Sequence, residues 1–213
     1  MKNECIKELK HFFEKFTVYN IRQYGFRKNH DTNLALLNIV NKLFDDYSKN
    51  KYIIVLNLDI SKAFDTVDHE ILLRILYQNG IRGFMHDWIK SFIVNRRQNT
   101  MINGELSTTL MNKTGVPQGS TLGPLLFIMY INDISHFIDD VEINLHNDDT
   151  SIFISEESLE KVRIRAELVF KRIKRYMNFK KLAINTSKTE FIYSADTEKR
   201  QDNQTSVKSL PVG

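Results

Sequence analysis

One stretch constrains the fold of this chain more than any other, an almost wholly apolar run that ends abruptly on an acid. Residues 51–69 read KYIIVLNLDISKAFDTVDH, and residues 52–56 are rich in β-branched side chains and apolar on both faces. The run is too short for a core helix and predicts a buried central strand that presents Asp59 at its end. A carboxylate there needs a cation or a hydrogen-bond donor. The competing interpretation is a helix cap, a role that Asp also favours.

Composition limits the class of protein and the kind of metal site. The chain has 213 residues, 42% of them hydrophobic, which is enough for one good core or two small ones. It has neither a stretch that could span a bilayer nor an apolar secretory signal, so we expect an intracellular protein. The single Cys5 and the lack of a paired-histidine motif leave carboxylates as the ligands of any metal ion.

Positive charge is concentrated in one predicted helix. The net charge is only +4, but residues 161–181 contain nine Lys or Arg and a single acid, Glu167. Apolar residues recur there at steps of three and four, which predicts an amphipathic helix with a basic outer face. Such a face suits a phosphate backbone, although an ordinary solvated helix shows the same pattern.

Periodicity and turn residues predict the remaining elements. The predicted helices cover residues 4–20, 31–47, 69–78 and 84–95, and further strands cover residues 141–147, 149–155 and 189–194. Asn103-Gly104 predicts a two-residue turn within a hairpin at residues 98–112. Residues 115–124 combine glycines and prolines before an apolar helix, and glycines let a backbone approach a ligand closely.

Three pairs of adjacent aspartates are candidates for a metal site. Asp45-Asp46 is predicted to end a helix and Asp139-Asp140 to lie in a connection. The third pair, Asp148-Asp149, lies near the tip of a predicted hairpin. Only this pair is therefore expected to be held rigidly by a sheet.

Five motifs, in this order, resemble the reverse transcriptase domain of non-LTR, LINE-type retrotransposons, particularly Jockey-like elements. They are QYGFRKNHDT, LNLDISKAFDTVDH, GVPQGSTLGPLLF, the Asp148-Asp149 hairpin and NTSKTEF. The resemblance covers roughly residues 9–194. It is carried by the order and spacing of the motifs, because each one alone is short.

The resemblance implies an α+β fold, a polymerase palm with a small antiparallel sheet and helices behind it. Residues 51–69 and 113–194 would form the palm, and residues 1–50 would form partial fingers. Residues 70–112 would add helices and a hairpin to the fingers and palm, and residues 195–213 a disordered tail. The segment that normally precedes the fingers, an endonuclease and a thumb are not expected in this chain.

The resemblance also implies nucleotidyl transfer with two Mg²⁺ ions, or Mn²⁺ in their place. Asp59 and Asp148 would bridge the ions and Asp149 would assist them. Lys188 matches a palm lysine that protonates or neutralises the departing pyrophosphate, and a solvated surface lysine is the alternative. Asp65 and Asp68 lie nearby in the sequence without matching the metal position.

Substrate contacts follow from the same resemblance. Phe64 would close over the sugar and reject a 2′-hydroxyl, and its alternative is a core aromatic. Gln118 and Gly119 would line the nucleotide and template pocket. Arg27 and Lys28 would clamp the triphosphate, although a basic loop is more often simply solvated.

The chain departs from the family pattern at four positions. His146 and Asn147 stand where the family has an aromatic residue and Ala, and Asn147 is expected to add bulk where the primer end lies. Tyr176 stands for the usual Trp and Lys180 for the usual Asn. These two replacements are expected to matter less.

The implied function is RNA-directed DNA synthesis on an RNA template and a DNA primer from deoxynucleoside triphosphates, without a membrane. Three alternatives stay open: a catalytically inactive remnant, a non-catalytic nucleic-acid-binding module, and an RNA-directed RNA polymerase. Phe64 and the GVPQGS stretch argue against the last of these.

Overall fold

The computed structural model describes residues 2–27, 32–146 and 148–194. The helices are α1 Lys2–Lys15, α2 Thr32–Ser48, α3 His69–Gln78, α4 Gly83–Ile93, α5 Leu122–Ile131, α6 Ile134–Phe137 and α7 Leu159–Phe179. The strands are β1 Tyr52–Leu58, β2 Ile60–Ser61, β3 Arg96–Gln98, β4 Met101–Ile102, β5 Glu105–Leu106, β6 Leu110–Asn112, β7 Glu142–His146, β8 Asp149–Glu156, β9 Ala183–Ile184 and β10 Glu190–Ser194.

The chain divides into two compact units, each built from two separate segments. Unit 1 comprises Met1–Tyr19 and Lys62–Asn132, and unit 2 comprises Asn20–Ser61 and Asp133–Gly213, in each case over their described residues. No helix in the described part of the chain is both long enough and apolar enough to cross a bilayer.

Unit 2 is organised around an antiparallel sheet with the strand order β10-β1-β8-β7. The predicted central strand is confirmed, because β1 pairs with β10 on one edge and β8 on the other. The adjacent residues Ile53 and Ile54 point to opposite faces and are both buried, whereas farther along the strand Leu56 and Leu58 are buried on one face and Val55 and Asn57 are half-buried on the other. The predicted hairpin is also observed, with β7 pairing β8 as far as His146 and Asp149.

Helix α7 covers the sheet of unit 2 with the face that the sequence predicted. Val162, Ala166 and Val169 are buried, and the Ser158 side chain caps the helix by accepting from the Lys161 backbone N–H. Leu159, which has the same spacing, is partly exposed because it lies in the first turn. The burial of this stripe fixes the basic residues on the outer side.

Helix α2 buries an acid and exposes apolar side chains. Leu37, Phe44 and Tyr47 are more than half exposed, whereas Asp46 is only 2% exposed. Lys42 and Lys51 lie 3.2 Å and 3.5 Å from the Asp46 carboxylate, and the Ser155 side chain hydrogen-bonds to it. Burial by itself raises the pKa of Asp46, but these partners outweigh it and hold the pKa below its usual value.

Unit 1 is mainly helical. Helix α5 is apolar all round and buried along almost its whole length, which is typical of a central core helix. Helix α3 packs against both α4 and α5, and begins at Asp68, whose carboxylate accepts from the Ile71 backbone N–H. The predicted hairpin is present as two short ladders, β3–β6 and β4–β5, around Asn103 and Gly104. Both turn residues have positive φ, as a two-residue turn of this kind requires.

The buried carboxylate of Asp46 generates a stability prediction. Asp46→Asn should lower the free energy of unfolding by about 1–3 kcal/mol at pH 7, because a buried polar group loses its charged hydrogen bonds. Asp45→Asn is the matched control, since the Asp45 side chain is 73% exposed. It should change stability by no more than about 0.5 kcal/mol. Urea denaturation of the three proteins measures both effects.

The pH dependence of that difference has a defined sign. Because the folded pKa of Asp46 is lowered, its contribution is complete above the unfolded pKa and is lost as the pH falls through the folded pKa. The gap between wild type and Asp46→Asn should therefore shrink on acidification below about pH 4. A gap that stays constant down to the acid transition would show that packing rather than charge is responsible.

Candidate functional site

The predicted carboxylates lie at one end of the unit 2 sheet. The β1–β8 register pairs Leu58 with Thr150, so that Asp59 follows directly in line with Asp149. Asp148 lies in the turn that joins β7 to β8. The antiparallel register therefore brings together acids from two motifs that are far apart in the chain.

The backbone of Asp59 is held on both sides by the segment that carries Lys188. The Asn185 N–H donates to the Asp59 carbonyl at 2.9 Å, and the Asp59 N–H donates to the Thr189 hydroxyl oxygen at 3.3 Å. The short ladder β2–β9 adds two further residue pairs next to these bonds. Lys188 itself is exposed on this turn. The structure thus places the predicted lysine on the segment that anchors the first predicted acid.

The carboxylates repel one another. The pKa of Asp149 is raised, first by partial burial and then by the negative charges of Asp148 and Asp59, while His146 opposes the shift. Charge of one sign gathered at a partly exposed strand end is the arrangement that a divalent cation neutralises. The oxygen donors present are of the type that Mg²⁺ prefers.

The described side chains do not form a complete protein-only metal cage. Among residues 2–27, 32–146 and 148–194, no group of three or more His, Cys, Asp or Glu side chains is arranged to hold a metal ion. Mg²⁺ is commonly bound through one or two carboxylates, with water and substrate phosphates completing its octahedron. The donor set at Asp59, Asp148 and Asp149 therefore fits an ion that is held jointly with a phosphate-bearing substrate.

In unit 1, residues that follow Asp59 in the chain are hydrogen-bonded to the glycine-rich loop of residues 115–124. The Val116 N–H donates to the Phe64 carbonyl at 2.7 Å, and the Gly115 N–H donates to the Val67 carbonyl at 2.8 Å. The Gln118 side-chain amide donates to the Asp65 carboxylate at 2.7 Å. The sequence interpretation left Asp65 without a role, whereas the structure shows that it orients the amide of Gln118.

Two further predicted substrate residues lie in the same unit. Phe64 is partly buried and its ring lies 4.9 Å from the ring of Phe127, so it has one face in the core. Gly119 is exposed with φ +74°, a conformation that favours glycine. Gln118 lines an open cleft of about 570 Å³ together with residues of the 96–112 hairpin.

The predicted triphosphate clamp is only partly within the described residues. Arg27 lies on its own loop and donates to the backbone carbonyls of Asn20 and Gln23 at 2.9 Å and 3.2 Å. Lys28 lies outside the described residues, as does Asn147. The expectations for both stay predictions.

The replacements Tyr176 and Lys180 converge on one acid. The Tyr176 hydroxyl donates to the Asp133 carboxylate at 2.7 Å, and the Lys180 ammonium group lies 2.9 Å from the same group. Lys180 is only 1% exposed. Burial lowers the pKa of Lys180, while the hydrogen bond and charge of Asp133 act in the opposite direction. Sequence spacing gave no signal for this cluster, because Asp133 lies in a different segment.

The basic face of α7 is partly neutralised by acids that the sequence interpretation had set aside. Arg165 and Arg172 both pair with Asp140, the latter at 2.7 Å, and Arg165 also pairs with Glu156. Asp140 therefore acts as an ion-pair partner for the helix. Exposed basic residues that include Lys171 and Arg175 continue along the same helix.

Solved structures share this fold. An apo telomerase from Candida tropicalis superposes with a TM-score of 0.68 at 12% identity, covering 96% of this chain and 38% of that chain. A form of the same telomerase truncated from the C-terminal domain gives a TM-score of 0.66 at 13% identity, covering 91% and 41%. The molecule is therefore a mixed helix and sheet protein with the fold found in these telomerase chains.

The sequence comparisons define the family. Residues 1–212 match the family described as reverse transcriptase (RNA-dependent DNA polymerase). A probable RNA-directed DNA polymerase from transposon X-element of Drosophila melanogaster is 36% identical over 53% of this chain and 12% of its own length. The RNA-directed DNA polymerase from mobile element jockey of the same species is 31% identical over 64% of this chain and 16% of its own length. The chain belongs to the reverse transcriptase family and is a domain of the type found in retrotransposon RNA-directed DNA polymerases.

Repulsion within the acid cluster generates a second prediction. Asp149→Asn should raise the free energy of unfolding by about 0.2–1 kcal/mol in chelator at pH 7, the scale of exposed charge pairs. Because the folded pKa is raised, wild type loses stability as the pH rises through it, and the advantage of the variant should grow over that range. Mg²⁺ should reduce the advantage by binding the wild-type carboxylates. Thermal melts with and without Mg²⁺ measure this.

Asp139→Asn serves as the control, because Asp139 is an exposed acid outside the cluster. Its thermal stability should change with chelator and with Mg²⁺ in the same way as that of wild type. An Asp149→Asn protein that is less stable than wild type in chelator would contradict the repulsion.

The close contact of the glycine-rich loop with the Asp65 backbone generates a third prediction. A Cβ at Gly115 would lie 2.8 Å from the Asp65 carbonyl oxygen and 2.9 Å from its Cα, at a φ of +88°. Gly115→Ala should therefore cost about 2–4 kcal/mol, the sum of backbone strain and a clash with main chain that cannot yield cheaply. Gly104→Ala separates the two causes, because Gly104 has φ +85° and nothing within 4 Å. It should cost only about 1 kcal/mol. Equal losses in urea melts would refute the clash.

Proposed function

We propose that this chain catalyses RNA-directed DNA synthesis, with Asp59, Asp148 and Asp149 as its catalytic carboxylates. The observation that carries the proposal is the β1–β8 register, which aligns acids from two distant motifs at one sheet end in a member of the reverse transcriptase family. Partial burial and then the negative charges of Asp148 and Asp59 raise the pKa of Asp149, and this gathering of negative charge supports the same group as the cation site.

The proposed architecture follows from this assignment. The sheet of β1, β7, β8 and β10 would be the palm, with residues 51–69 and 113–194 contributing to it. Residues 1–50 would belong to the fingers, and residues 70–112 would contribute helices and the hairpin. The expected tail at residues 195–213 lies outside the described residues.

Two bound Mg²⁺ ions, or Mn²⁺ in their place, would activate the primer 3′-hydroxyl and stabilise the leaving pyrophosphate. Asp59 and Asp148 would hold the ions jointly and Asp149 would complete the donor set. The clamp on the Asp59 backbone by Asn185 and Thr189 would keep the first carboxylate in a fixed position. This matters because a displacement of about 1 Å can cost roughly a hundredfold in rate.

The remaining residues would bind and select substrates. Phe64, with one face packed on Phe127, would present the rest of its ring to the sugar and exclude a 2′-hydroxyl. Gln118, oriented by Asp65, and Gly119 would contact the nucleotide and template. Arg27 and Lys28 would contact the triphosphate, and Lys188 would donate a proton to the pyrophosphate or neutralise it. The RNA template and DNA primer would be held mainly through shape and backbone charge.

A non-catalytic nucleic-acid-binding role is the second candidate. It is favoured by His146 and Asn147, which replace the aromatic residue and Ala of the family beside the acids. A bulky polar residue there would displace the primer end. If the polymerase proposal is right, the double variant H146F/N147A should extend primers faster than the unchanged chain.

Primer extension on an RNA template with Mg²⁺ tests the proposal, with deoxy- and ribonucleotides offered separately. Asp59→Asn and Asp148→Asn should each reduce extension at least about a hundredfold, because each removes a direct ligand, whereas loss of an outer-shell partner alone costs 10–100-fold. Asp139→Asn should extend like wild type. Phe64→Ala should raise ribonucleotide incorporation relative to deoxynucleotide incorporation.

Binding measured on the same proteins separates the two candidates. The chain would be a binding module if it binds the primer–template in a salt-dependent manner but does not extend primers. This result would have to hold both for the unchanged chain and for H146F/N147A. Extension that survives Asp59→Asn would refute the assignment of the catalytic carboxylates.

A further inference from the structure

The hairpin of residues 96–112, called the arm below, is held together by its own side chains. Besides the ladders β3–β6 and β4–β5, the Asn99 amide donates to the Ser107 carbonyl at 3.0 Å and to the Thr109 hydroxyl at 2.8 Å. The Thr100 N–H donates to the Ser107 hydroxyl at 2.9 Å. These bonds bridge the gap between the two ladders. The arm is therefore a defined projection rather than a loose loop.

The tip of the arm exposes apolar side chains. Met101 and Leu106 are paired across the β4–β5 ladder and are 66% and 64% exposed, and Ile102 is 67% exposed. Leu110 and Met111, nearer the base, are also more than half exposed. Contiguous exposed apolar residues on a projecting element are typical of a binding surface.

The base of the arm carries cations and amides that face a cleft. Arg96, Gln98 and Asn112 of the β3–β6 ladder, with Lys113, line the same open cleft of about 570 Å³ that Gln118 lines. Arg96 also lies 5.6 Å over the ring of Phe92, which holds its guanidinium at the base. The Asp65 carboxylate also lines the cleft, where it accepts a hydrogen bond from the Gln118 amide. Between residues 96 and 113 the only acid is Glu105, against Arg96, Arg97 and Lys113. Charge of this sign is complementary to phosphate.

We infer that the arm binds a single strand of nucleic acid, with Arg96 and Lys113 on its phosphates and the Met101–Leu106 tip against its bases. Cations and side-chain amides at the base match phosphate oxygens and base edges. Unstacked base faces offer a matching surface to the apolar tip, and a single strand exposes such faces whereas a duplex buries them. An apolar protein partner would account for the tip but not for the cationic base.

The inference rests on the proposed nucleic-acid function but does not depend on catalysis. Its test is therefore made in chelator, where no extension occurs, with a short fluorescein-labelled single strand that carries 2-aminopurine. Fluorescence anisotropy reports affinity and 2-aminopurine emission reports contact with a base. The two parts of the arm are tested by separate double variants.

R96Q/K113Q should weaken binding and reduce the slope of log affinity against log salt by about 1.4, the value for two lost phosphate contacts on a single strand. M101T/L106T keeps strand-forming residues while removing the apolar surface. It should weaken binding about fivefold, leave the salt slope unchanged and abolish the change in 2-aminopurine emission. The M101T/L106T substitutions should weaken binding to a duplex of the same sequence less than they weaken binding to the single strand.

Controls of equal charge and equal apolar loss lie elsewhere on exposed helices. K7Q/K90Q removes two exposed lysines of α1 and α4, and I164T/L168T removes two exposed apolar side chains of α7. Neither should reproduce the pattern of the arm variants. The free energy of unfolding of every variant, measured by urea denaturation, should be close to that of wild type, because every altered side chain is exposed.

Two results would overturn the inference. One is an unchanged salt slope in R96Q/K113Q together with unchanged base fluorescence in M101T/L106T. The other is self-association of the wild type in light scattering that M101T/L106T removes without any effect on the oligonucleotide, which would identify the tip as a protein contact. Failure of primer extension in catalytic assays, with these binding results intact, would bear on the proposed function alone.

Discussion

The pairing of β1 with β8 is the constraint on which the site depends. Its register sets Leu58 against Thr150 and so decides that Asp59 emerges in line with Asp149. A slip of one residue would turn the buried Ile and Leu side chains of both strands to the wrong face, so hydrophobic burial enforces the register. The alignment of the acids is thus secured by the core, although their own electrostatics oppose it. The stability that the core supplies offsets the repulsion that Asp148 and Asp59 exert on Asp149.

Asp46 and Lys180, charged groups buried in the described part of unit 2, each have at least one partner from another segment. Asp46 lies between Lys42 and Lys51 and accepts a hydrogen bond from Ser155, and Lys180 is held by Asp133. The directions of the two pKa shifts reflect different balances. The partners outweigh burial at Asp46, whereas at Lys180 burial outweighs the hydrogen bond and charge of Asp133. Lys180 therefore carries the larger uncompensated cost of desolvation.

In unit 1 the glycine-rich loop is held in place by backbone hydrogen bonds, whereas in unit 2 the buried charged groups are held by ion pairs and side-chain hydrogen bonds. The glycine-rich loop reaches the Phe64 and Val67 carbonyls closely enough that a side chain at Gly115 would collide with Asp65. The close approach also brings the Gln118 amide within hydrogen-bonding distance of the Asp65 carboxylate. Loop residues such as Gln118 are in this way held in position without a large core of their own. The arm obtains its rigidity in the same manner, from side-chain hydrogen bonds across its strands.

The sequence by itself determined the parts of this protein that depend on local periodicity and composition. The central strand β1, the Asp148-Asp149 hairpin, the buried stripe of α7 and the Asn103-Gly104 turn all follow from patterns within a few residues, and the ordered motifs identified the family. The tertiary structure alone decided which acids became partners. Asp46 and Asp140 were predicted to lie at a helix end and in a connection, Asp65 had no assigned role, and Asp133 was not singled out. Their roles arise from contacts such as Asp133 with Lys180 and Asp65 with Gln118, which join segments far apart in the chain. No local pattern encodes such pairs, because they exist only after the strands have set the distances between their segments.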